Sequence, residues 1–121
     1  MATVTPPRPK WRPVPLREIR GFVRRIAERF HPHKIILFGS YAYGRPSFHS
    51  DVDLLVVMHT DLDEIAQEIQ ILQTLDHPFA MDLVVRTPES VRRHVELGDC
   101  FIREILTRGK VLYESANRKM G

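Results

Sequence analysis

Apolar residues near the start of the chain recur every three to four positions: Leu16, Ile19, Val23, Ile26 and Phe30, with arginines between them. This spacing predicts an amphipathic helix ending near His31-Pro32, with Arg20, Arg24 and Arg25 on its solvated side. The pattern then shortens. Lys34-Ile-Ile-Leu-Phe38 is a run of β-formers that breaks at Gly39-Ser40, as a strand running into a turn does. A short helix is expected over 41–44, before the Arg45-Pro46 loop. From Val52 to Met58 the chain is apolar except at Asp53, which predicts a second strand covered on both faces and central in its sheet. Leu62, Ile65, Ile69, Leu72 and Leu75 return to helical spacing, ended by Asp76-His77-Pro78. Ala80 to Val85 reads as a third strand. Thr87-Pro88-Glu89 combines an N-cap, a first-turn proline and an early acid, so a helix begins there. Gly98 ends it, and Asp99 caps another that carries Phe101, Ile102, Ile105 and Leu106 up to Gly109. Lys110 to Tyr113 is a fourth, short strand. The predicted fold class is α/β (α+β): a small mixed sheet with helices packed mainly on one side.

Composition adds boundaries. Five of the nine prolines (Pro6, Pro7, Pro9, Pro13, Pro15) fall in the first fifteen residues, which favours an extended arm over 1–15. Trp11, its large apolar group, is expected to fold back on the domain, with anchoring of a partner as the alternative. The folded domain is expected over 16–114, with a tail over 115–121. A chain of 121 residues has room for one core, so a large substrate must bind outside it. No apolar run is long enough to span a bilayer and the start has no signal-peptide core, so a cytoplasmic location and no membrane partner are expected. The single Cys100 fits that compartment, excludes an internal disulfide framework or a cysteine-based zinc site, and reads as a small core residue.

Charge is divided along the chain. Residues 1–34 hold nine Lys/Arg and two Glu, whereas residues 51–104 hold twelve acids and four arginines, within a net charge of only +3. A basic start suggests an acidic partner, and an acidic centre suggests cations. Direct nucleic-acid binding is the weakest expectation, because the arm has one tryptophan and no groove-reading motif.

The acidic centre is where chemistry is expected. Asp51 and Asp53 are two residues apart at the start of a strand, so both carboxylates point to one face, which Leu55 and Val57 share. Two like charges beside an apolar surface are unfavourable unless cations hold them. Magnesium, which takes hard oxygen ligands and often binds one or two carboxylates with substrate phosphates, is the expected cation. Asp82 interrupts Ala80-Met-Asp-Leu-Val-Val85 in the same way. If the third strand lies beside the second, Asp82 completes a three-carboxylate cluster able to hold two metal ions for an in-line phosphoryl displacement. Gly39-Ser40 supplies the phosphate half: glycine lets backbone approach a ligand, and Ser40 adds a hydroxyl.

Strand, Gly-Ser, short spacer, Asp-x-Asp in the second strand and a lone Asp in the third together resemble the minimal nucleotidyltransferases of the DNA polymerase β superfamily. The resemblance runs from about Leu16 to Glu114 and includes Gly109-Lys-Val-Leu-Tyr113. It implies a nucleotidyltransferase fold and Mg2+-dependent transfer of a nucleoside monophosphate from a triphosphate, with diphosphate leaving. Many small members are antitoxins paired with HEPN-type toxin RNases, and members of that group resemble enzymes that adenylylate a toxin tyrosine using ATP. By this resemblance Gly39 and Ser40 hold the β and γ phosphates, and Asp51 and Asp53 ligate two Mg2+ ions. Asp82 ligates the ion at the entering hydroxyl and helps remove its proton. The family commonly has an arginine where Tyr43 stands, and Arg45 is the substitute candidate. A non-catalytic antitoxin that masks its partner, and transfer to a small molecule such as an aminoglycoside, are the competing expectations. The six histidines form no ligand pattern; His49 is singled out only by its nearness to Asp51. Ser50 is expected to position the acidic strand.

Overall fold

The computed structural model describes residues 12–116. The expected contact of Trp11 and most of the tail lie outside the described residues. Helix α1 (Leu16–Phe30) buries Ile19, Val23 and Ile26 of the predicted stripe together with Phe22 and Ala27, whereas Leu16 is exposed and Phe30 half-buried; it ends at His31 in the left-handed conformation. Ahead of it Val14 packs against the core, and its amide donates to the Tyr41 hydroxyl at 3.0 Å.

Strands β1 (Lys34–Phe38), β2 (Val52–Val57), β3 (Met81–Arg86) and β4 (Lys110–Glu114) form one sheet in the order β3-β2-β1-β4. β1 is antiparallel to both β2 and β4, whereas β2 and β3 are parallel, so the sheet is mixed as expected. The other helices are α2 (Glu64–Thr74), α3 (Pro88–Glu96) and α4 (Cys100–Arg108). Both predicted caps form: Thr87 accepts from the Ser90 amide, and Asp99 accepts from those of Phe101 and Ile102.

The helices do not gather mainly on one side of the sheet. Ile35, Leu37, Leu54, Val56, Leu83 and Val85 pack with α1 and Ile71 of α2. On the opposite face Ile36, Phe38, Leu55 and Val57 pack with Ile102 and Ile105 of α4 and Val91 and Val95 of α3. Strands apolar at consecutive positions present greasy side chains to both faces, and both must be covered.

Three local expectations also change. Residues 41–44 form hydrogen-bonded turns rather than a helix: the Ala42 and Tyr43 amides both bond the Gly39 carbonyl, and Gly44 at φ +77° ends the turn. Helix α2 buries Gln67 and Ile71 while Ile65 and Ile69 are exposed, because its inward face serves the edge strand β3. Glu68 accepts from the Val85 amide at 2.9 Å and Glu64 from the Thr87 amide at 3.0 Å. Those amides line an edge that carries no further strand among the described residues, and side-chain acceptors satisfy them. Cys100, finally, is exposed rather than core. It follows the Asp99 cap, whereas the residues facing the sheet are Ile102 and Ile105.

Candidate active site

Alternation along β2 places Asp53 on the face of Leu55 and Val57, covered further along by α3 and α4. Asp53 is level with Phe38, the last residue of β1, and in register with Asp82 of β3. Asp82 shares the face of Val84 by the same alternation, so the two carboxylates are neighbours on adjacent strands. This is the juxtaposition that the third strand was expected to supply. Asp51 lies just ahead of β2 and is exposed.

Beyond Phe38 the chain turns at Gly39, whose φ is +73°. A Cβ at this position would collide with the Asp53 carboxylate. Glycine is therefore required twice, by the backbone angle and by the contact. The result is that backbone closes directly onto an acidic side chain, and Ser40 follows at once. Ser50 closes the loop before Asp51: its hydroxyl accepts from the Ser47 amide at 2.8 Å. His49 lies against Phe48 with ring centroids 4.0 Å apart and the planes tilted by 43°, and both are exposed.

Among the described residues Asp51, Asp53 and Asp82 have no hydrogen-bond or ion-pair partner. The acidity of Asp53 records the cost: its pKa is pushed up from 3.8 to about 6, first by burial, then by the Asp82 charge, then by Asp51. Such a site suits a cation from outside, and its hard oxygen donors fit Mg2+. Among the described residues no group of three His, Cys, Asp or Glu side chains is gathered into a metal site. The expected three-carboxylate cluster is thus an Asp53–Asp82 pair in register on adjacent strands, with exposed Asp51 to one side.

Ser40 also lines a cavity of about 480 Å3, together with Tyr43, Arg45, Glu104 and Arg108. Of these, Ser40 and Arg45 were expected from the sequence, and Tyr43 was singled out. Arg108 and Glu104 come from α4, where a last-turn arginine reads simply as a partner of the helix dipole. No local signal tied them to the Gly-Ser turn; packing of α4 on β1 does so. The basic residues of α1 lie elsewhere. Arg20 and Arg24 line a cleft of about 430 Å3 with Leu112 and Tyr113, beside the opposite face of the sheet from Asp53.

Known proteins share this architecture. A putative nucleotidyltransferase of Sulfolobus solfataricus, known from a crystal structure, superposes with a TM-score of 0.59 at 18% identity, over 88% of this chain and 83% of that one. A toxin-antitoxin structure with AMP-PNP matches with a TM-score of 0.58 at 25% identity, covering 84% of this chain and 77% of that one. A mutant of the toxin-antitoxin MntA-HpeT gives a TM-score of 0.55 at 22% identity, over 88% and 79% of the respective chains. In sequence, a protein of Methanocaldococcus jannaschii named as a putative protein adenylyltransferase is 32% identical over 97 residues, spanning 78% of this chain and 94% of its own. Among the described residues no helix is long and apolar enough to cross a membrane. The family model for polymerase beta nucleotidyltransferases matches residues 23–118, from α1 past β4 and through every element that builds the acidic site, and the chain belongs to that family.

Proposed function

We propose that this chain is a Mg2+-dependent protein adenylyltransferase that transfers AMP from ATP to a tyrosine of a HEPN-type toxin, and so acts as a cytoplasmic antitoxin. The observation that carries the reading is Asp53, in register with Asp82 on the neighbouring strand and lying against the Gly39 backbone, with Ser40, the next residue, lining a cavity that also holds Arg45. The M. jannaschii relative's name supports protein adenylylation, and the neighbour with AMP-PNP supports ATP and a toxin partner.

In this reading Asp51, Asp53 and Asp82 hold Mg2+. When bound, the metal neutralises phosphate charge and polarises the phosphoryl oxygens. Gly39 and Ser40 bind the β and γ phosphates through backbone and hydroxyl, and Arg45 adds a cation from the cavity wall. The acceptor's phenolic oxygen forms a bond to the α-phosphorus while the bond to the β-phosphate oxygen breaks, releasing diphosphate. Asp82, exposed at the rim, accepts the phenolic proton. The acceptor comes from another molecule, which a domain of this size leaves room for on the open side of the site.

The test mixes the protein with the product of its neighbouring gene, Mg2+ and ATP labelled at the α phosphate, and follows label by gel and peptide mass. Label on a tyrosine of the neighbour is expected, with loss in Asp53→Asn. Binding without transfer indicates masking instead. Label on an added aminoglycoside moves the acceptor to a small molecule.

A further inference from the structure

We propose that Arg108 is a triphosphate-binding residue of this site, with Tyr43 and Glu104 as the positioning residues that hold its guanidinium at the cavity. The proposal rests on the ATP-dependent reading above and extends it to a helix distant in sequence from the Gly-Ser turn.

Three observations lead there. The guanidinium carbon of Arg108 sits 4.1 Å from the centroid of the Tyr43 ring, and Nη1 pairs with Glu104 at 3.2 Å. Stacking fixes the plane of the group, and the carboxylate uses one of its two ends. A guanidinium has five N–H donors, so the remaining donors are available to an anion. The end of α4 is also anchored. A Cβ at Gly109 would collide with the Ile105 carbonyl and approach Ile36 Cγ2 to 2.6 Å, so the absence of a side chain lets the helix terminus lie against β1. Arg108 is therefore delivered from a packed element.

The third observation is charge. The cavity holds two arginines and one glutamate, and its Ser40 directly follows Gly39, whose backbone lies against the Asp53 carboxylate. A triphosphate brings several negative charges to a place where Asp51, Asp53 and Asp82 would repel it. Arg45 and Arg108 provide the opposing field on the Ser40 side, where a phosphate chain leaving the carboxylates would run. A role confined to the α4 dipole would need neither the Tyr43 stack nor a position on this cavity wall.

The experiment is calorimetric titration with ATP and with AMP, in Mg2+, of the wild type and of Arg108→Ala, Arg108→Lys, Tyr43→Leu and Arg103→Ala, with melting temperatures recorded for each. Arg108→Ala is expected to weaken ATP about tenfold, equivalent to about 1.4 kcal/mol, while AMP changes less than about twofold, since AMP lacks the distal phosphates. Arg108→Lys recovers part of the loss, and Tyr43→Leu shows a smaller loss with the same preference for ATP. Arg103→Ala removes an arginine of the same helix that is outside the cavity, and leaves the ATP-to-AMP ratio unchanged. An unchanged ratio in Arg108→Ala, or equal weakening of ATP and AMP, overturns the proposal while leaving the nucleotidyltransferase reading intact. A folded wild type that binds no ATP overturns both.

Discussion

Strand β3 is served by two sets of carboxylates that live in opposite conditions. Along its outer edge Glu64 and Glu68 accept the Thr87 and Val85 amides, and Glu68 also stands 3.6 Å from Arg86. At its start Asp82 faces Asp53, neither having a partner among the described residues, and the proton affinity of Asp53 rises. The same chemical group stabilises one region and strains the other. The difference lies in what surrounds each: donors at the edge, like charges and apolar neighbours at the site. Asp99 makes the same point at the head of α4, where the Ile102 amide above all, and then His94 and the Phe101 amide, hold its carboxyl below the usual range. Acids with donors belong to the scaffold. Asp53, with like charges and apolar neighbours instead of donors, holds its proton more tightly.

Removing one charge from each region separates them by sign. Asp53→Asn should cut label transfer by at least about 100-fold, since metal chemistry supplies several kcal/mol and each 1.36 kcal/mol is tenfold. If transfer survives, Asp53 is no ligand. Glu68→Ala should instead leave the chemistry of folded protein alone and cost about 2 kcal/mol, by stranding the buried Val85 amide. In a domain of this size that is about 10 °C of melting temperature. A melting temperature like the wild type's would show that the edge does not need this acceptor.

Smaller effects follow from protonation. Asp53 has a raised pKa in the folded chain, so folding binds its proton more tightly, and its contribution to stability declines as pH rises from 3.8 to about 6. Without divalent metal, Asp53→Asn should therefore melt with the wild type below pH 4 and above it at neutral pH. The gain is about 1 kcal/mol once solvent screening of the partly exposed group is allowed for. A neutral-pH loss of stability would contradict the strain. The smallest difference concerns Mg2+: its thermal stabilisation of the wild type should be full at pH 7.5 and fade below about 6, where it must displace the Asp53 proton. A shift of equal size at pH 5 would place the ion elsewhere.

Much of this was legible in the chain. Helical spacing located α1 and the middle of its buried face, Ile19, Val23 and Ile26, and the turn residues Gly39, Thr87, Gly98 and Asp99 punctuated the elements where the structure breaks them. These signals are local: a cap, a left-handed angle or an apolar period depends on a few neighbouring residues. The isolated acids in apolar strands were legible for a related reason, because an unpaired charge within a buried strand is costly wherever that strand lies.

Periodicity failed where a partner distant in sequence set the outcome. Of the stripe Leu62, Ile65, Ile69, Leu72 and Leu75, the last two pack against the core, yet Leu62, Ile65 and Ile69 are exposed, since the amides of an edge strand drew Glu64 and Glu68 inward. Whether helices covered one face of the sheet or two could not be read from element order, although strands apolar at consecutive positions already required cover on both.

By itself the sequence determined the elements, the family motif and the acids that carry the candidate chemistry, because each depends on residue type and short spacing. Tertiary structure alone decided that Asp82 stands in register with Asp53, that Gly39 closes on the carboxylate, and that Arg108 meets Tyr43 beside Ser40. Those are meetings between residues far apart in the chain, fixed by parallel strand pairing and by α4 packing on β1, and no local propensity encodes them.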